Sequence, residues 1–150
     1  MIEVAEAYPN NQSRIVDFQV AMAKETEGID LDRHVVEKGV KAVFDDPSKG
    51  KYYTATIKDK VAASLLTTFE WSDWRNGEVY WIQSVYVLPE FRKQGVYKMM
   101  YKYIQDQIAE LPNIMGIRLY VDSDNKPAQT VYAKLNMDGN HYRLFEWMKS

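Results

Sequence analysis

Apolar residues in the first third of the chain recur at the three-four spacing of helices that pack by one face. From Ser13 to about Thr26, Ile15, Phe18 and Met22 share such a face; Ser13 stands where an N-cap would, and Gly28 closes the segment. Leu31 to about Phe44 repeats the pattern through Val35, Val36, Val40 and Val43. Asp30 or Asp32 can cap this second helix, Asp45-Asp46-Pro47 stops it, and Gly39 weakens it. The pattern then changes to strands. Tyr52–Ile57 and Val61–Phe69 are joined by Lys58-Asp59-Lys60, short enough for a hairpin, and Asn76-Gly77 is a second turn signal. Val79–Leu88 is apolar on both faces, as expected of a central strand covered on both sides, and Pro89 ends it.

A long helix is predicted from Gly95 to about Leu111, with Val96, Met99, Met100, Tyr103, Ile104, Gln107 and Ile108 at helical spacing. A strand over Ile117–Val121, a helix from Pro127 to about Leu135 and a terminal strand over Tyr142–Met148 complete the chain. Two helices, a run of strands, then strands alternating with helices read as an α/β domain with a mixed sheet. No repeat or low-complexity linker interrupts residues 1–150, so a single domain is expected.

Composition narrows the chemistry. There is no cysteine, which removes disulfides, thiolate metal sites and any cysteine nucleophile, and agrees with a cytoplasmic setting. The formal charge of -2, with both signs interspersed, gives no general nucleic-acid footprint. No apolar run approaches the roughly 20 residues that cross a bilayer, so no membrane partner is expected. The N-terminus lacks the basic, apolar and small-residue series of a signal peptide. Neither G-x-x-x-x-G-K-[ST] nor G-x-G-x-x-G occurs, and no His/Asp/Glu group has metal-ligand spacing.

The stretch Val85-Tyr-Val-Leu-Pro-Glu-Phe-Arg-Lys-Gln-Gly-Val-Tyr-Lys98 is an apolar strand, a short loop and a helix start at Gly95. A helix start offers unpaired N–H groups and the positive end of the dipole, a ready site for phosphate or pyrophosphate. Gly95 lets an anion approach the backbone, while Arg92, Lys93, Lys98 and Lys102 add positive charge. The plainer reading makes Gly95 an ordinary loop glycine before a helix.

The segment resembles the acetyl-CoA-binding motif of the Gcn5-related N-acetyltransferases (GNATs), Gln/Arg-x-x-Gly-x-Gly/Ala after a strand and a Pro-containing loop. Here it reads Arg92-Lys93-Gln94-Gly95-Val96-Tyr97, with Tyr97 where a small residue is usual; its ring either crowds the pyrophosphate or turns outward along the helix. A second match follows in the expected order. Asn125-Lys-Pro-Ala-Gln-Thr-Val-Tyr-Ala-Lys-Leu-Asn-Met137 resembles N-x-x-A-x-x-x-Y-x-x-x-G-F through Asn125, Ala128 and Tyr132, with Asn136 and Met137 replacing Gly and Phe. The resemblance implies a mixed, mainly antiparallel sheet flanked by helices, in which the central strand splays from its neighbour. It implies that a pantetheine arm pairs with the backbone of Val85, Tyr86 and Val87. The pyrophosphate would lie on the amides of Arg92, Lys93, Gln94, Gly95, Val96, Tyr97 and Lys98, and Asn125 would hold the cofactor arm.

The same resemblance gives Tyr132 the role of general acid toward the leaving thiolate. A tyrosine hydroxyl has a reference pKa near 10, close to that of an alkyl thiol. The competing reading is a core tyrosine beside Val131 and Leu135. The base is less clear: Gln83, Ser84 and Tyr120 stand where family carboxylates often lie. Glu70, Asp73 and Glu78 could act through water, and His34 and His141 read as structural or exposed. The aromatic-rich stretch from Phe69 to Val87 is similar to the diamine acetyltransferase branch, but Gln83-Ser84 replaces its acidic pair, which speaks against a polyamine acceptor. Trp71, Trp74, Trp81 and Tyr80 could line an acceptor cleft, form a homodimer face, or simply pack the sheet. The expected activity is acetyl transfer from acetyl-CoA to a primary amine of a small molecule or peptide, in a ternary complex. The alternative is a non-catalytic acyl-CoA-binding module.

Overall fold

A computed structural model describes residues 1–150. It divides into two compact units, Met1–Arg118 and Leu119–Ser150. The first carries a five-stranded sheet in the order β1-β2-β3-β4-β5, made of β1 (Ile2–Glu6), β2 (Lys51–Ile57), β3 (Lys60–Ser72), β4 (Gly77–Val87) and β5 (Ile114–Arg118). Neighbours are antiparallel except β4 and β5, which run parallel. Helices α1 (Gln12–Glu27), α2 (Arg33–Asp45) and α3 (Val96–Ala109) flank it.

The alternation of side chains along β2 divides the helices between the two faces. Tyr52 stacks on Phe44 of α2 with centroids 5.7 Å apart, whereas its neighbour Tyr53 meets Tyr103 of α3 edge-on at 6.0 Å. On the first face Ile15, Val16, Val40 and Tyr52 form a buried cluster closed by Val36, Val43, Phe44 and Leu66. On the other, Met100 and Ile104 of α3 are fully buried. Burying side chains of this size stabilises by roughly 1.5–3 kcal/mol each.

Local signals explain the ends of the elements. Gly28 closes α1 in the left-handed conformation with φ 65°, and Asp32 caps α2 by accepting from the His34 N–H. Lys58 and Asp59 both have positive φ, 51° and 62°, as a two-residue type I′ hairpin requires. Gly39 has open space around it, so its helix tolerates it.

Several expectations need correction. Ser13 is not the N-cap: α1 begins at Gln12 after Asn11, and the short 3-10 turn Pro9–Asn11 leads into it. Strand β1 lacks a sequence signal, because two of its five residues are glutamates; pairing with β2 creates it. The last sheet strand is Ile114–Arg118, not Ile117–Val121. Its start is fixed where the Glu78 N–H donates to the Asn113 carbonyl at 2.9 Å, and the ladder runs on from Glu78 and Ile114. Gly95 lies outside α3, as its left-handed N-cap residue. In the second unit, α4 (Lys126–Lys134) is the one regular element, and Tyr142–Met148 forms no strand. A strand exists only through its partner, and no partner pairs with that segment. No helix is long and apolar enough to cross a membrane.

Gly77 joins the β3–β4 hairpin to the start of β5. A Cβ there would meet the Asn113 carbonyl oxygen at 2.7 Å. Gly77→Ala should therefore destabilise by about 1–3 kcal/mol, because a backbone atom has to move. Gly39→Ala, in open space within a helix, should stabilise by about 0.5–1 kcal/mol. Thermal melts of the two variants check both signs.

Candidate functional site

Strand β4 pairs with β3 along most of its length, but its ladder with β5 ends at Trp81 and Arg118. Ile82–Val87 therefore continue with no strand on the β5 side. This is the splay that the family resemblance implies. Within the stretch Ser84 has φ 55°, and the register with β3 slips by one residue between Leu66/Gln83 and Ser64/Tyr86, a β-bulge. Beyond it, the Leu88 N–H donates to the Ala62 carbonyl at 2.9 Å. By alternation Tyr86 also turns its backbone polar groups toward β3, and Val85 and Val87 turn theirs toward the open edge.

The chain then passes through the 3-10 turn Pro89–Phe91 and enters α3. Lys93 and Gly95 are left-handed, with φ 62° and 78°. Such residues bend the backbone so that successive amides form an anion-binding concavity. Arg92 donates its N–H to Pro89 O at 3.3 Å and Met99 donates to Gly95 O at 3.1 Å. Between them, the amides of Lys93, Gln94, Gly95, Val96 and Lys98 donate to no acceptor in the chain, and no side chain caps the helix. A Cβ on Gly95 would meet nothing within 4 Å, so the space over these amides is open. Tyr97 turns along the helix toward Tyr101, centroids 6.3 Å apart.

The named side chains differ in what they do. Lys93 and Lys98 are exposed, and Gln94 donates to the Glu90 carbonyl at 3.1 Å. Arg92 is committed within the chain, through Nε to Val87 O at 2.8 Å and through NH2 to Glu25 at 2.8 Å. Glu25, near the end of α1, also accepts from the Tyr86 hydroxyl at 3.0 Å. The hydrogen bond from Arg92 is the main cause that holds the Glu25 carboxyl below its ordinary range. Burial, with the Glu25 charge beside it, raises Tyr86 and keeps it a neutral phenol. No sequence pattern marks Glu25; only the packing of α1 on β4 brings it to the motif.

A second polar group lies on the sheet where the split begins. Glu70 of β3 accepts from Trp81 Nε1 at 2.9 Å and from Arg118 at 2.7 Å, and Gln83 donates to Thr68 at 2.8 Å. The Trp81 and Arg118 hydrogen bonds lower the Glu70 pKa, so it is a held anion and a weak base. Asp73 is exposed in the hairpin, and His34 is an exposed helix residue. Trp71 and Trp74 are exposed, whereas Tyr80 packs on Phe69. In the second unit Asn125 caps α4 by accepting from the Ala128 N–H at 3.2 Å, and Tyr132 is half-buried on that helix. Asn136 takes the left-handed conformation, φ 64°, in place of the usual glycine. No group of three or more His, Asp and Glu side chains is placed to hold a metal ion.

A split mixed sheet whose strand runs through a left-handed turn into a helix is the arrangement that the family resemblance implies. The model of the acetyltransferase (GNAT) family matches residues 16–137, and the chain belongs to that family. A crystal structure of a possible acetyltransferase from Clostridium difficile 630 is 44% identical, covers 100% of this chain and 99% of its own, and superposes with a TM-score of 0.91. A predicted acetyltransferase with acetyl-CoA from Clostridium acetobutylicum is 18% identical, with 97% and 96% covered and a TM-score of 0.75. Glucosamine-6-phosphate N-acetyltransferase from Arabidopsis thaliana is 14% identical, with 99% of each chain covered and a TM-score of 0.73. The last two share the fold. No curated protein sequence matches the chain.

Glu25 and Glu70 predict a pH dependence. Both folded pKa values lie below the ordinary 4.5. Their contribution to stability is therefore complete above that value and is lost as pH falls through the depressed folded values. Glu25→Gln and Glu70→Gln should melt below wild type at pH 7, and the gap should close as pH falls below 4.5. Melting temperatures across that range measure it.

Proposed function

We propose that this chain is an N-acetyltransferase that moves an acetyl group from acetyl-CoA to a primary amine of a small molecule or peptide. The observation that carries this reading is the continuity of two unsatisfied sets of backbone groups. The outward edge, at both polar groups of Val85 and the N–H of Val87, leads, through one short turn, to the acceptor-free amides of Lys93–Val96 and Lys98. The first suits an amide-bearing arm added as a strand, and the second suits a pyrophosphate. The open space over Gly95 leaves these amides accessible to an anion.

Acetyl-CoA supplies a thioester carbonyl. The rest falls to the chain. The outward Val85 N–H beside the bulge can donate to the carbonyl oxygen as charge develops on it. With no cysteine, an acyl-cysteine intermediate is absent and the amine attacks directly. Glu25 and Glu70 are both held as anions by donors and are poor bases, so the amine proton leaves through solvent. Tyr132 is the proposed acid that protonates the leaving thiolate, and Asn125 the contact to the cofactor arm. Neutral Gln83 and Thr68 near the bulge favour a singly charged amine over a polyamine. The chain acts as one functional domain over residues 1–150, in the cytoplasm.

Gly95→Glu puts a carboxylate over the open amides. Acetyl-CoA binding by calorimetry should be largely lost while the fold persists. Gly95→Ala isolates the backbone strain of φ 78°, about 1–2 kcal/mol, and should retain most binding; unchanged affinity in Gly95→Glu would place the anion elsewhere.

Tyr132→Phe keeps the ring and removes the proton. Turnover should fall on the order of 10²–10⁴ with acetyl-CoA affinity little changed. Wild-type turnover in this variant, with lowered stability in Tyr132→Ala, would make it a packing residue. Thiol release from acetyl-CoA over an amine library reads the turnover, and no release with any amine alongside firm binding would favour the non-catalytic module.

A further inference from the structure

Arg92 is where the strand edge, the phosphate turn and α1 meet. Its Nε donates to the Val87 carbonyl and its NH2 to Glu25 Oε2, both at 2.8 Å. Its guanidinium carbon lies 5.4 Å from the Tyr86 ring centroid, and Tyr86 donates to the other Glu25 oxygen at 3.0 Å. A carbonyl, a carboxylate and an aromatic face thus hold the side chain in one place. The Val87 carbonyl belongs to the outward row on the open edge of β4. With Arg92 on it, an arriving chain finds the polar groups of Val85 and the N–H of Val87, and at the end of the row a carbonyl whose oxygen the guanidinium already engages.

We propose that Arg92, fixed by Glu25, is a positioning residue: it closes the Val87 carbonyl and so sets the register in which the amides of the pantetheine arm pair with β4. This rests on the acetyl-CoA reading above. Strand pairing repeats every two residues, so a slipped register moves the arm by about 6–7 Å. Reacting atoms must lie within about 3–3.5 Å, so a slip of that size takes the thioester out of reach of the amine. The competing role for Arg92 is a charge contact, in which the guanidinium leaves Glu25 for the pyrophosphate.

Two ligands separate these roles. Acetyl-CoA carries the pantetheine arm; adenosine 3′,5′-bisphosphate keeps the nucleotide and its 5′-phosphate and lacks the arm. NMR titration, which reads millimolar affinities, is run on both. Arg92→Ala should weaken acetyl-CoA about tenfold and leave the bisphosphate within about twofold. Arg92→Gln, with a donor for Val87 and no positive charge, should recover most of the loss. Equal weakening of both ligands, or no weakening of acetyl-CoA, would overturn the proposal. If Arg92→Ala shows no melting transition, Arg92→Lys replaces it. Lysine keeps the charge and loses the fork that serves Val87 and Glu25 together, so it should weaken acetyl-CoA alone; wild-type affinity for both would favour the charge contact. A wild-type chain that binds no acetyl-CoA would instead sink the cofactor reading itself.

Discussion

The early end of the ladder between β4 and β5 is the constraint on which the site depends. Up to Trp81 the strand is an ordinary internal member of the sheet. From Ile82 to Val87 it has β3 on one side and no strand on the other. An open row of backbone groups usually invites aggregation. Here the row is short, is interrupted by the bulge at Ser84, and ends at the Val87 carbonyl, which Arg92 covers. The same strand then delivers the chain to a turn whose amides have no acceptors, so one covalent path carries both halves of an extended anionic ligand's site.

The ion pairs around this edge act through geometry more than through stability. Arg92–Glu25 and Arg118–Glu70 are both partly exposed, and pairs of that kind contribute about 0–1 kcal/mol. Their value lies in where they stand. Glu70 ties β3 to the last residue of β5 across β4, at the vertex of the split. Glu25 ties α1 to the turn at the other end. Both acids are consumed in this task and held ionised, which explains why a carboxylate close to the motif is not automatically its base.

Much of this was legible in the sequence, though unevenly. Helices with a clean apolar stripe, such as α2 and α3, are found within a few residues, because a 3.6 periodicity is written in the residues that pack. The Gly28 stop and the short Lys58-Asp59 turn are local chemistry and read directly. Strand β1 was missed because its glutamates hide it and only β2 makes it a strand. The expected terminal strand over Tyr142–Met148 failed for the converse reason: its residues suit a strand, but pairing decides, and pairing is not a local property.

The same division runs through the site. The sequence by itself determined the glycine at the start of α3, the Pro-containing loop that leads to it, the absence of a cysteine route and the family, because these depend on residue types at fixed short spacings. Tertiary structure alone decided where β4 loses its neighbour, that Ser84 is a bulge, that Arg92 faces Glu25 and the Val87 carbonyl, and that Glu70 is bound by Trp81 and Arg118. All but the short link from Arg92 to Val87 join residues farther apart in the chain, and hydrogen bonds act over about 3 Å of space regardless of sequence distance.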